Sequence, residues 1–276
     1  MKLVLFKSLW GYDGNLPSAI EMAREAGFTG IEGPVPAASG TFFHELEGIP
    51  WIAEVTTCTP PGEYLPVPHL GVDAHLASLE EGIERSLPGG PLFITTMGGS
   101  DAWGLDECLR FHEGVLRLQE KHGIIVSVET HRGRPTYNPW RTAEILAALP
   151  ELRLTCDFSH WCAVTERLIL DQEPALLEKI AAHAYHLHGR VGYAQGPQVA
   201  DPRAPEYAIE LTAHERWWDV LLAAMRARGT ETATFTPESG PDGYLQCQPF
   251  TREPVADLWE INRWIGRRQL ERHSPP

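Results

Sequence analysis

The stretch LRLTCDFSHW (152–161) starts as a strand and runs into polar groups that a buried strand end normally avoids. Leu152, Leu154 and Cys156 alternate in a β-type run, and Asp157, Ser159 and His160 follow without a turn signal. An ionised Asp buried there costs several kcal/mol unless it is paired or holds a metal ion. The same arrangement recurs nearby. IIVSVET (124–130) reaches Glu129, AYHLHGR (184–190) carries His186 and His188, and TATFTPE (232–238) ends in Glu238. Four consecutive strand ends therefore supply Glu, Asp, His and Glu.

Working toward the N-terminus, KLVLF (2–6), FTGIEG (28–33), WIAEVTT (51–57) and PLFITTM (91–97) complete a set of eight strand candidates. Helical periodicity falls between them at 16–27, 71–87, 105–123, 138–150, 174–183 and 214–229, with a closing helix at 253–273. The second helix, 37–49, is short and begins loosely. Eight βα units without a low-complexity linker predict an α/β fold, a single (β/α)8 TIM barrel spanning 1–276. In such a barrel the chemistry sits on the loops after the strands.

Composition narrows the partners. The formal net charge of −14 argues against a phosphate-backbone ligand, so no nucleic acid is expected. Five scattered cysteines without a C-x-x-C pair argue against a disulfide framework and a structural zinc knuckle. No apolar window approaches a membrane helix, so no membrane partner is expected and the expected location is cytoplasmic. No G-x-G-x-x-G, P-loop or G-x-S-x-G pattern appears, and GGSDAWG (98–104) is too incomplete to act as a phosphate loop.

Neighbouring strands lie about 4.8 Å apart, so inward side chains at one height can converge. Three carboxylates brought together without a cation would repel and take up protons. With one imidazole they suit Mn²⁺, Mg²⁺, Co²⁺ or Zn²⁺. Any one acid at a strand end is more commonly a helix cap or a solvated loop residue; the run of four points to a site. His186 and His188 share a strand face, and spacing leaves either as the ligand. Around the four lie His131, Arg132, Arg134, His160, Arg190 and Arg203, a set suited to an anionic group, although Arg203 could simply pair with Asp201 or Glu206. Trp10, Trp103 and Trp161 fall at or after strand ends, where flat faces suit sugars although tryptophan is commonly core. Glu32 and Glu54 lie on strands that could reach the pocket, and no role is assigned to them.

The order Glu129, DFSH (157–160), HLH (186–188) and PE (237–238) resembles the xylose-isomerase-like TIM barrels, the sugar phosphate isomerase/epimerase superfamily. The resemblance implies one divalent metal ion on Glu129, Asp157, His188 and Glu238, and a substrate contact at His160. It further implies that Glu129 and Glu238 move a proton on a small sugar or other hydroxy-carbonyl compound through a cis-enediolate. His131, Arg132, Arg190 and Trp161 are the other expected substrate contacts. The epimerases of the family carry an Arg six residues past the strand-seven His; here that position is Ala194, with Arg190 the nearest substitute. A dehydratase of a keto-polyol or keto-acid is the alternative on the same site. An endonuclease IV-like phosphodiesterase, for which His44, His69 and His75 would have to serve as extra ligands, and a non-catalytic sugar-binding barrel rank lower. A homodimer is compatible with the family.

Overall fold

Eight parallel strands hydrogen-bond in chain order and close on themselves. The computed structural model describes residues 1–37, 40–60, 63–241 and 243–273. The strands are β1 (Lys2–Ser8), β2 (Gly30–Gly33), β3 (Trp51–Thr56), β4 (Ile94–Met97), β5 (Val126–Glu129), β6 (Arg153–Cys156), β7 (Ala184–Gly189) and β8 (Thr232–Pro237). Around them run α1 (Leu16–Glu25), α2 (Phe42–Glu45), α3 (Val72–Ser86), α4 (Leu105–His122), α5 (Pro139–Ala148), α6 (Ser159–Thr165), α7 (Ile169–Gln172), α8 (Pro174–Ala181), α9 (Ala208–Ala227) and α10 (Leu258–His273). Each of the eight strand candidates contains or overlaps one observed strand, and the architecture is a (β/α)8 barrel.

The sequence explains where the helices begin. Asn15 and Asn138 cap α1 and α5 by accepting from the backbone N–H of Ser18 and Arg141, and Pro17 and Pro139 occupy first-turn positions whose N–H has no helical partner. Two expectations need correction. The second helix is a single turn, Phe42–Glu45, because Phe42 supplies the only buried anchor on it. After β6 the chain enters α6 at once, a helix absent from the candidate set, so His160 and Trp161 lie on it. No helix among the described residues is long and apolar enough to cross a membrane.

Both faces of the strands are buried, and each face does different work. Outward residues such as Leu5, Ile31, Val128 and Leu154 pack against the helices in the main core. Inside the barrel the apolar filling is confined to a floor of Val4, Phe6, Ile52 and Phe93, with Ile125 and Tyr185 against it. Above the floor the inward residues turn polar. Ser127, Thr155 and Thr236 lie two residues below Glu129, Asp157 and Glu238, so strand alternation puts a hydroxyl beneath each acid. Thr155 donates to Ser127 Oγ at 2.9 Å and also meets Thr95. The register between β6 and β7 slips here: Leu154 pairs with Ala184 but Thr155 with His186. The slip lets Tyr185 join the floor and still leaves His186 and His188 facing the lumen.

Two buried histidines outside the lumen are held neutral by geometry. His112 directs Nδ1 at the Cys108 carbonyl 2.6 Å away, and its Nε2 has no partner among the described residues. His214 donates from Nδ1 to the Glu210 carbonyl and accepts the Gly192 N–H at Nε2. Burial pulls both down to about 4 from the usual 6.5. A depressed imidazole stabilises the fold fully above its unfolded value and loses that stabilisation as pH falls, here between 6.5 and about 4. The expected outcome is a thermal midpoint that drops through this window, with on the order of 3 kcal/mol at stake per histidine. A midpoint that stays flat through the window would contradict the assignment.

Candidate metal centre and cavity

Alternation lifts one polar side chain from each of the last four strands into the barrel mouth. Ligand atoms of Glu129, Asp157, His188 and Glu238 all lie within 4.8 Å of one another, and all four residues are buried. Their contacts with each other are not those of a hydrogen-bonded network. His188 Nδ1 sits 2.9 Å from Glu238 Oε2 and 3.6 Å from Glu129 Oε1, yet Nδ1 and Glu238 Oε2 make no hydrogen bond, nor does Glu129 Oε2. Converging donor atoms without hydrogen bonds between them among the described residues are what a cation site offers. Three carboxylates and an imidazole suit a divalent ion.

The electrostatics agree with the donor set. Burial raises Glu129, against the pull of His188 and with the repulsion of Glu238 and Asp157. Burial also raises Asp157, although Arg190 and Ser159 draw it down. His188 resists burial and is raised well above the imidazole range by Glu238, Glu32 and Glu129. The group lacks positive charge, and it holds whatever protons it can.

Asp157 is fixed from several sides. Its backbone N–H donates to Thr130 Oγ1, and Thr130 returns a bond to its carbonyl, each at 2.8 Å. Its Oδ1 accepts from the Ser159 N–H at 2.9 Å and from the Ser159 hydroxyl at 2.5 Å. Its Oδ2 is held by Arg190 Nη2, which also reaches His160 Nε2 at 2.8 Å. Arg190 Nε donates to Ser159 Oγ at 3.0 Å. The loop after β7 can approach this closely only because residue 192 is Gly: a Cβ there would lie 2.6 Å from the Ser159 carbonyl.

Glu32, to which the sequence assigned no role, is the hub beneath the centre. Its Oε1 accepts from His188 Nε2 and its Oε2 from His186 Nε2, each at 3.0 Å, and Thr236 donates to Oε2. Although burial opposes it, the two imidazoles hold this carboxyl well below the carboxylate range. The two histidines point differently. His186 turns Nδ1 toward Thr234 and away from the four donors, whereas His188 presents Nδ1 to them. Glu32 engages His188 Nε2 and so leaves Nδ1 as the nitrogen that faces the other three donors, the orientation a ligating imidazole needs. Alternation could have marked Glu32 as inward, but nothing local pairs it with a strand 154 residues away.

A cavity of about 720 Å³ opens above the centre. Of the four donors, Glu129 and Glu238 line it, together with His131, Arg190, Glu54, Trp10, Tyr64 and Tyr244. Trp10 meets Tyr244 edge-on at 4.9 Å, and the Arg190 guanidinium lies over both rings. His131 and His160 rest against each other with centroids 3.9 Å apart, and burial with the nearby arginines lowers both. His160 accepts from Arg190 at Nε2, which places its proton on Nδ1, where it has no partner among the described residues. Glu54 is raised by its enclosure and then by Glu238, Glu129 and Glu32.

The remaining expected contacts are distributed differently. Trp161 does not wall the pocket: it is fully buried, stacks on Phe158 at 4.9 Å and donates to the Thr136 carbonyl, because α6 turns it into the core. Trp103 packs on His75 and Phe111. Arg132 lies over the Tyr244 ring at 4.9 Å, outside the lining. Arg134 is buried against the carbonyls of Gly99 and Tyr64, and Arg203 pairs with Asp201 at the surface. His44 is exposed on α2, His69 is exposed in the loop before α3, and His75 is bonded to Thr57; none joins the four donors.

The fold and site define a (β/α)8 barrel with a buried carboxylate–imidazole centre at the C-terminal ends of its strands. No family model and no curated protein sequence matches the chain. Among solved structures it resembles a xylose isomerase-like TIM barrel protein from Mycobacterium smegmatis in complex with magnesium, at 13% identity and a TM-score of 0.58, over 96% of this chain and 95% of the other. It also resembles the probable 3-DHS dehydratase AsbF from Bacillus anthracis (15%, TM-score 0.61, all of both chains) and a D-psicose 3-epimerase in the presence of D-fructose (11%, TM-score 0.61, 98% and 99%). The fold is that of the xylose isomerase-like TIM barrels.

Glu32 is expected to bear on stability directly. Glu32→Ala strips two buried imidazoles of their common partner and should lower the unfolding free energy by about 3–5 kcal/mol, measured by urea denaturation. A loss below about 1 kcal/mol would show that the hub carries little weight.

Proposed function

We propose that the protein is a divalent-metal-dependent isomerase or epimerase of a small sugar or related hydroxy-carbonyl compound. The observation that carries the reading is that Glu129 and Glu238 reach the cavity from a four-donor centre whose other two members, Asp157 and His188, do not line it. Glu129, Asp157, His188 and Glu238 would hold the ion, which would supply Lewis acidity toward the substrate's oxygens.

The residues of the chain would do the rest. One of the two glutamates takes the proton from the carbon beside the carbonyl and the other returns a proton, giving isomerisation or epimerisation according to the face on which it arrives. His131, which lines the cavity with the buried His160 packed against it, is the imidazole placed to meet a substrate oxygen. Arg190 balances Asp157 and holds His160 in place, its donors already engaged with Asp157, His160 and Ser159. Trp10 and Tyr244 close the wall and exclude water from the enediolate.

Two measurements test this. Calorimetric titration with Mn²⁺ should show one site per chain, weakened at least tenfold in Asp157→Asn; several equal sites, or no change in the variant, would sink the assignment. With metal supplied, Glu238→Gln should keep the wild-type circular dichroism and lose about 10²- to 10⁴-fold in turnover on any compound the wild type converts. Wild-type turnover in that variant rules out the two-glutamate mechanism. Product analysis for loss of water separates isomerisation from a dehydration that begins with the same proton abstraction.

A further inference from the structure

We infer that the cavity takes an uncharged polyhydroxylated carbonyl compound, a free sugar, and discriminates against phosphorylated and carboxylate-bearing analogues. This rests on the isomerase reading and names the substrate class of that site.

The argument begins with the cations. The loops that follow the eight strands carry Arg132, Arg134, Arg190, Arg203 and Arg252 and no lysine. Arg134 is spent on two backbone carbonyls, Arg203 on Asp201, and Arg132 on the face of Tyr244. Arg252 is not part of the cavity lining. Arg190 does line it, but its guanidinium is held by Asp157, Ser159 and His160. A phosphate or carboxylate is recognised by forked or clustered donors, and the described residues of the wall present no such cluster.

The charge of the wall points the same way. A divalent ion and Arg190 together match Glu129, Asp157 and Glu238, so even a loaded centre is no net cationic anchor. The remaining wall carries Glu54, Glu63 and Glu81 and one base, Arg85, which donates to the Val35 carbonyl. A neutral Glu54 still leaves two acids against one base. The whole chain, at −14, adds a field that repels anions.

What the wall does offer fits a neutral polyol. Trp10, Tyr64 and Tyr244 give apolar faces for C–H surfaces, and the carboxylates accept from hydroxyls.

The test compares compounds matched except for charge. With Mn²⁺ supplied, solvent deuterium wash-in is measured for free ketopentoses and ketohexoses, their terminal phosphates, and polyhydroxy keto-acids. The expected result is that the best free ketose exceeds its own phosphate in kcat/KM by at least tenfold. A phosphate or keto-acid that equals or betters the free sugars overturns the charge inference and leaves the isomerase reading standing. If no compound exchanges, the isomerase reading falls, and calorimetric binding of the same compounds still decides the preference: tighter binding of the free ketose supports it, and equal or tighter binding of the phosphate overturns it. Glu81→Lys, a charge reversal on the α3 wall, should narrow the free-to-phosphorylated ratio at least threefold; an unchanged ratio overturns the role given to that wall.

Discussion

His188 stands between two groups of buried carboxylates. Below, Glu32 takes its Nε2 proton; above, Glu129 and Glu238 crowd its Nδ1. Taking these acids out of water costs several kcal/mol apiece, and repulsion among them adds to that cost. The imidazole answers both sides at once because its two nitrogens lie on opposite edges of one ring. The lumen is polar above the aromatic floor for the same reason. Beneath the acids Thr155 bonds Ser127 and meets Thr95, and Thr236 donates to Glu32.

Arg190 gives Asp157 what His188 gives the glutamates. Buried between Trp10 and Tyr244, it is raised by Asp157 and Glu238 in spite of its burial, and it carries a fixed positive charge into the wall. The close approach at Gly192 and the short helix α6 bring Ser159 and His160 to the same guanidinium. One cation therefore sets the orientation of an acid, a hydroxyl and an imidazole. The arrangement leaves few donors for an anionic substrate, which connects the internal charge balance to the class of molecule the cavity accepts.

Much of this was legible before folding. The strand candidates at 2–6, 28–33, 51–57, 91–97, 124–130, 152–158, 184–190 and 232–238 all meet observed strands, because a parallel barrel buries both strand faces and so leaves apolar runs that stand out. The acids Glu129, Asp157 and Glu238 were visible as polar interruptions of those runs. Helix edges were less legible: α6 begins within DFSHW, where local propensity is weak and the turn is stabilised by Asp157 accepting from Ser159. Trp161 read as a pocket wall because its place after a strand end is compatible with either direction. The helix alone turns it inward.

The chain's order of residues determined the eight βα units, the polar strand ends and the acidic balance, since each is written in local periodicity and composition. Tertiary structure decided which of those groups meet. Closure of the barrel sets Glu32 on β2 against His186 and His188 on β7, 154 and 156 residues away, and so leaves His188 Nδ1 facing Glu129 and Glu238. A one-residue slip between β6 and β7 admits Tyr185 to the floor and still points both histidines inward. Local sequence specifies the side a residue faces only as far as the strand's own alternation holds. The partner across the lumen depends on closure and register, which long-range packing alone fixes.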